Sequence, residues 1–235
     1  MMLFRILIFS IIAAGLKAQS NTSDSFGRKQ GFWKITEGEK KLVEANYEDD
    51  TLHGVYKEFK EKRLVLVANY SKGQLHGVYN SFRESGLPLI KGNFLYGLPN
   101  GLFEWYDTKG RLLKKIEFNN GAFDGEWKSY LKGRLVASAQ FNNNILHGNF
   151  IVYTKEGGIA LKSIFRDGKM LSGEMVYDKQ GRLLYIKLPN DTRDRLIGVM
   201  YFDKHGTRKS KIKSINELSI TYGYFGSEVH KSGRL

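Results

Sequence analysis

The chain has 235 residues and a formal net charge of +13, and 13% of its residues are aromatic. It contains no cysteine, which excludes a lipid-modified N-terminal cysteine, a disulfide framework and any thiolate metal site. Packing of the aromatic rings and pairing of strands must therefore stabilise the fold.

The first eighteen residues predict a secretory signal peptide. Arg5 supplies a positive charge, residues 6–16 are mostly apolar, and Ala18 is a small residue suited to a cleavage site. The apolar run is shorter than the roughly 20 residues that span a bilayer. We therefore expect residues 1–18 to be removed on export and residues 19–30 to form a polar leader. The mature protein would be periplasmic or extracellular, not lipid-anchored, and without a transmembrane span.

Eight glycines recur at intervals of 23 to 25 residues, which is typical of a repeat array. They are Gly31, Gly54, Gly77, Gly101, Gly125, Gly148, Gly173 and Gly198. In the clearest units an aromatic residue stands two and five positions after the glycine, as in residues 54–59, Gly-Val-Tyr-Lys-Glu-Phe. Such short segments, rich in aromatic residues, predict strands.

A second strand follows each glycine-containing turn, such as Lys132-Gly133. In residues 135–141 it alternates apolar or small residues and closes on Phe141. The position two before the closing aromatic is usually small, as at Ala139, which predicts that a neighbouring ring packs over it. A tight turn then precedes the next unit. Its residues tolerate a left-handed backbone, and they are Asp50, Gly73, Gly97, Gly121, Asn144 and Asp194.

Hairpins joined by short connections pair in sequence order. The sequence therefore predicts an all-β fold, an elongated antiparallel β-meander of about eight hairpin repeats over residues 31–203. The pattern weakens after Asp178, and residues 204–235 are expected to form a basic degenerate repeat or a C-terminal cap.

The repeated pattern resembles the MORN repeat family. It is most similar to the bacterial MORN-variant repeats that are labelled as the antitoxin component of toxin–antitoxin systems. The resemblance covers about residues 31–203 and is clearest between Gly54 and Phe165. It implies a β-hairpin scaffold without intrinsic catalysis.

A basic cluster lies near the C-terminus. Between Lys179 and Lys213 there are ten Lys or Arg against three Asp. The candidate anion-binding residues are Lys204, Arg208, Lys209, Lys211 and Lys213. In an exported protein this cluster would face anionic lipid, acidic glycan or an acidic protein, and not nucleic acid. The alternative is that the lysines are solvated charges that oppose aggregation.

Two further groups of side chains invite functional interpretation. Trp105 lies one position off the regular aromatic positions, so its ring could point to the other face of the sheet and contact a ligand. His53, His76 and His147 each precede a repeat glycine. Equivalent positions in neighbouring hairpins are about 10 Å apart, too far for one metal ion, so we interpret these histidines as turn residues.

The chain contains no nucleophile elbow, phosphate-binding loop or zinc-binding motif. We therefore expect a non-enzymatic scaffold without cofactor or metal, which binds an envelope component or a partner protein. One alternative is an antitoxin-like protein that neutralises a toxin by direct binding. Another is a peripheral binder of anionic lipid or glycan through the basic C-terminal region.

Overall fold

The computed structural model describes residues 21–188, 198–202, 205–206 and 208–209. The predicted signal peptide, residues 1–18, lies outside the described residues. All regular secondary structure in the described part of the chain is β-strand. Accordingly, this part offers no helix with the length and apolarity needed to cross a bilayer.

The strands are short and follow one another closely along the chain. In chain order they are β1 (Thr22–Ser23), β2 (Lys29–Glu37), β3 (Lys41–Glu48), β4 (Thr51–Lys60), β5 (Arg63–Ser71), β6 (Gln74–Phe82), β7 (Pro88–Leu95), β8 (Leu98–Pro99), β9 (Gly101–Tyr106), β10 (Leu112–Asn119), β11 (Ala122–Leu131), β12 (Arg134–Asn142), β13 (Ile145–Tyr153), β14 (Ile159–Arg166), β15 (Lys169–Met170), β16 (Glu174–Tyr177), β17 (Leu183–Leu188), β18 (Gly198–Phe202) and β19 (Arg208–Lys209).

The strands belong to two compact units. The first contains the described residues up to Leu87 together with Phe94–Gly97, and the second contains Pro88–Asn93 and the described residues from Leu98 onward. In the first unit β1 to β6 pair in sequence order, and every pairing is antiparallel. In the second unit β9 to β14 and β16 to β19 do the same, and β14 pairs with both β15 and β16. The prediction of an all-β antiparallel meander is confirmed.

Part of the predicted polar leader belongs to the first hairpin. Thr22 and Ser23 pair with Gln30 and Lys29 of β2. The indole Nε1 of Trp33 donates a hydrogen bond to the carbonyl oxygen of Thr22, at 3.1 Å. Residues 21–30 therefore extend the sheet by one short strand.

The repeat glycines share one backbone environment. The seven from Gly31 to Gly173 have φ between +65° and +109°, a range that L side chains rarely adopt. On β4 the three residues centred on Gly54 lie opposite the single residue Asn46 of β3, which is a β-bulge. The same bulge recurs where β6 meets β5, where β11 meets β10 and where β13 meets β12. Glycine is needed because the bulge requires this φ.

Part of the core is a row that crosses the strands, in which aromatic residues alternate with residues that are mostly small. In the first unit the row runs Trp33, Ala45, Tyr56, Ala68 and Tyr79. In the second unit it runs Phe103, Ile116, Trp127, Ala139, Phe150 and Ser163. Ala45 and Ala68 are completely buried. The predicted packing of rings over the small positions is confirmed.

The 23-residue repeats that begin at Gly54 and Gly125 differ from the first 24-residue repeat in the length of the turn that follows the fifth-position aromatic. Glu61-Lys62 and Lys132-Gly133 are two-residue turns with positive φ at both positions, in the 23-residue intervals. In the first 24-residue interval, Arg83 instead accepts a hydrogen bond from Gly86 and closes a longer turn with Leu87. A one-residue change in repeat length is therefore absorbed in a turn, and the strand register is preserved.

Candidate functional site

The tight turns that precede each repeat glycine line one edge of the sheet in each unit. In the first unit they are Asp49-Asp50, Lys72-Gly73 and Tyr96-Gly97, and in the second Asn120-Gly121, Asn143-Asn144 and Asp167-Gly168. The second residue of a turn donates a backbone hydrogen bond to a carbonyl one repeat earlier. Gly73 donates to Leu52 at 2.9 Å, and Asn144 donates to Phe123 at 2.8 Å. We call this hydrogen-bonded edge the turn ladder.

The first residue of each ladder turn has nearly the same backbone conformation but a different side chain. Its φ lies between +47° and +51° in all six turns. The residues are Asp49, Lys72, Tyr96, Asn120, Asn143 and Asp167. This conformation suits glycine, asparagine and aspartate, and it is strained for longer side chains. Lys72 and Tyr96 therefore occupy a left-handed backbone conformation that is unfavourable for their side chains.

Two of the three predicted turn histidines, His76 and His147, lie close to the turn ladder of the following repeat. His53, His76 and His147 lie in strands, directly before the bulge glycine, so their assignment to turns was wrong. The ring centroid of His76 is 4.9 Å from that of Tyr96. Nδ1 of His147 lies 3.4 Å from Oδ1 of Asp167. Among the described residues, no three His, Asp or Glu side chains are placed to hold a metal ion.

A shallow concavity opens on the turn ladder of the first unit. It is lined by Glu48, Asp49, Thr51, His53 and Lys72. Nδ1 of His53 lies 3.2 Å from Oε2 of Glu48. Two carboxylates and an imidazole from one repeat meet here with the ammonium group of Lys72 from the next repeat. The concavity can therefore donate and accept hydrogen bonds with a polar partner.

Trp105 packs on the same face of β9 as Phe103. Their ring centroids are 5.7 Å apart, and the Trp105 ring lies 6.3 Å from that of Phe118. Because side chains alternate along a strand, the second and fourth positions after Gly101 share a face. The expectation that Trp105 points to the other face was wrong, and its half-buried ring belongs to the aromatic packing of the second unit.

The predicted basic cluster is described only in part. Arg208 and Lys209 form β19, which pairs with Phe202 and Tyr201 of β18. Gly198, the last predicted repeat glycine, begins β18 opposite Leu188. Lys204, Lys211 and Lys213, like the predicted turn residue Asp194, lie outside the described residues.

Polar side chains opposite the bulges were missed in the sequence. Nδ2 of Asn46 donates to the carbonyl oxygen of Val55 at 3.1 Å. Oε2 of Glu117 accepts a hydrogen bond from the backbone of Glu126 at 2.9 Å. The sequence does contain a pattern that could have identified them, because an amide or carboxylate residue directly precedes the closing aromatic of the second strand in each of these repeats. The members are Asn46, Asn69, Asn93, Glu117 and Gln140.

Three turns share an Asp-x-x-Gly-Arg arrangement, which the sequence reasoning also missed. They span residues 24–28, 107–111 and 178–182. Oδ1 of Asp107 accepts hydrogen bonds from the backbone of Lys109 and Arg111, and Oδ2 accepts one from Nε of Arg111 at 2.7 Å. Chiefly through the Arg111 side chain, and then through its backbone, these bonds lower the pKa of Asp107 to about 2. The arrangement closes the turn and neutralises both charges.

No protein-family model matches the chain, and no curated protein matches it. The resemblance to MORN repeats therefore rests on the residues alone and stays a prediction.

Proposed function

We propose that the chain is an exported, non-enzymatic scaffold that binds an envelope component or a partner protein through the turn ladder of its first unit. One observation carries the proposal. Six turns hold the same φ to within a few degrees, while their exposed side chains are acidic, basic, aromatic or amide. In a repeat protein the shared residues build the scaffold, and the residues that vary on its surface determine binding.

The first unit is the better candidate because two of its ladder residues are conformationally unfavourable. Asparagine or glycine would relieve the strain at Lys72 and Tyr96, and such exceptions to local preference concentrate at functional sites. Tyr96 is 66% exposed, although its side chain is largely apolar. Tyrosine is also among the residues that most often dominate the energy of protein interfaces.

A photo-crosslinking residue in place of Tyr96 tests the proposal in intact cells. The same residue in place of Asn143, which has φ of +48° in the second unit, is the matched control. We expect a discrete cross-linked partner from position 96 and none from position 143. Equal labelling from both positions, or none from either, would contradict binding at the first unit's ladder.

Export is tested by sequencing the N-terminus of the protein recovered from cell fractions. The proposal expects a mature chain that begins at Gln19 and lies outside the cytosol. Full-length protein that keeps Met1 in the cytosol would favour the antitoxin-like alternative instead.

A further inference from the structure

The edge of the second unit opposite its turn ladder presents one lysine per turn. These lysines occupy the turns after β9, β11, β13 and β16, and they are Lys109, Lys132, Lys155 and Lys179. All four are exposed, and none forms an ion pair with any other described residue. We call this set the lysine row.

Few nearby carboxylates are available to neutralise the lysine row. Asp107 and Asp178 are already held by Arg111 and Arg182 in the Asp-x-x-Gly-Arg turns. Glu156 is the remaining carboxylate. Residues 107–111, 131–134, 154–158 and 178–182 together carry seven Lys or Arg and three Asp or Glu, a net charge of +4.

The corresponding edge of the first unit is arranged differently. Lys40 lies 3.2 Å from Glu61 of the next turn, and Lys60 pairs with Glu84. Cations and carboxylates of successive turns therefore neutralise one another there. The uncompensated positive charge is a property of the second unit's edge.

The spacing of the lysine row suits a linear polymer of regularly placed anions. Successive turns on one edge are two strands apart, or about 10 Å. A disaccharide unit of an extended acidic polysaccharide has a similar length and carries one uronate carboxylate. Each lysine can then meet one carboxylate of consecutive disaccharides.

We propose that the lysine row binds a linear acidic polysaccharide with one carboxylate per disaccharide. The inference goes beyond the proposed function, because it assigns a second binding surface, on the other unit, to one class of envelope component. A flat membrane fits the row less well. Strands twist by about 20–25° each, so successive turns rotate by about 40–50° and a plane meets only about two of the four lysines. A flexible polysaccharide can follow the rotation.

Binding of hyaluronan oligosaccharides to the full chain tests the proposal. Replacement of the four lysines by glutamine should weaken binding at least about tenfold, which is about 1.4 kcal/mol. The control replaces four other exposed lysines by glutamine and makes the same change in net charge. These are Lys34, Lys40, Lys62 and Lys169. The control should change the affinity less than about threefold, because net charge alone acts weakly in physiological salt.

Oligosaccharide length supplies a second test that needs no variant. Affinity should rise from disaccharide to octasaccharide, because an octasaccharide is the shortest chain that meets all four lysines. Lys132→Gln alone should weaken binding less than replacement of all four lysines. This single variant keeps the test valid if the variant with four replacements misfolds.

Equal losses in the row and control variants, or no dependence on oligosaccharide length, would overturn the proposal. So would hyaluronan binding no stronger than that of neutral dextran, or binding to phosphatidylglycerol vesicles without binding to hyaluronan. The cross-link from position 96 is independent of these results. If it forms and hyaluronan does not bind, the scaffold function stands and the polysaccharide inference fails.

Discussion

Replacing Gly92 by alanine tests the packing of aromatic rings over small residues in the second unit. The new Cβ would lie 2.6 Å from Cζ of Phe103 and closer still to two other ring carbons, whereas ordinary contacts begin near 3.4 Å. The Phe103 ring is only 2% exposed and is packed against Phe118, so it cannot move aside freely. We expect this overpacking to lower the free energy of unfolding by about 1–3 kcal/mol.

Urea unfolding followed by tryptophan fluorescence measures the effect. With a urea dependence of about 2 kcal/mol per molar, the expected loss lowers the unfolding midpoint by about 0.5–1.5 M. Gly158→Ala is the matched control, because a Cβ at that exposed position meets only Oγ1 of Thr154, at 3.5 Å. Its effect should be neutral or stabilising by up to about 1 kcal/mol.

A double variant identifies the partner in the clash. Phe103→Leu removes the ring, so Gly92→Ala should be less harmful in that background, by about 0.5–3 kcal/mol. Equal midpoints for Gly92→Ala and Gly158→Ala would refute the reasoning. An unchanged effect of Gly92→Ala in the Phe103→Leu background would show that another contact is responsible.

Four other variants test the turns and the end of the second unit. Lys72→Asn should raise the free energy of unfolding by about 0.5–1 kcal/mol, because asparagine suits the left-handed turn position better than lysine does. Asn143→Lys should lower the free energy of unfolding by a similar amount. The urea midpoints of both variants check these expectations. The pKa of Asp107 is about 2 in the fold against an ordinary value of 3.8. The ionised Asp107 therefore stabilises the fold fully above about pH 4, and this contribution is lost as the pH falls through about 2. The Asp107→Asn variant lacks this contribution, so its stability should fall less steeply over that pH range. Unfolding measured at a series of acidic pH values checks this. Glu174→Gln should destabilise the chain by about 1–3 kcal/mol in thermal unfolding. The Glu174 carboxylate lies 3.4 Å from the ammonium group of Lys187, a residue that is only 7% exposed. An unchanged thermal midpoint would contradict a stabilising ion pair.

The hairpin scaffold could be predicted because its requirements are local. A bulge that needs positive φ selects glycine, and a buried position beneath a ring selects a small residue such as Ala68. Both requirements recur in every clear unit and appear as periodicity. The face of Trp105 was misjudged because the aromatic pattern was followed and the alternation of side chains along the strand was not.

The candidate site could not be predicted in the same way. The hydrogen bond from Gly73 to Leu52 joins successive repeats, and it depends on how their turns stack. The contact between His76 and Tyr96 likewise crosses from one repeat to the next. The residues involved are visible in the sequence, but their meeting depends on tertiary geometry that no single repeat encodes.

The turn ladder has a consequence for how such a chain can change in length during evolution. Each turn takes its hydrogen-bond acceptor from the repeat before it and offers an acceptor to the repeat after it. Duplication or loss of one whole repeat therefore rejoins equivalent donors and acceptors. A cut of half a repeat would leave a hairpin with no matching neighbour, so viable descendants of this chain should differ by whole multiples of its period.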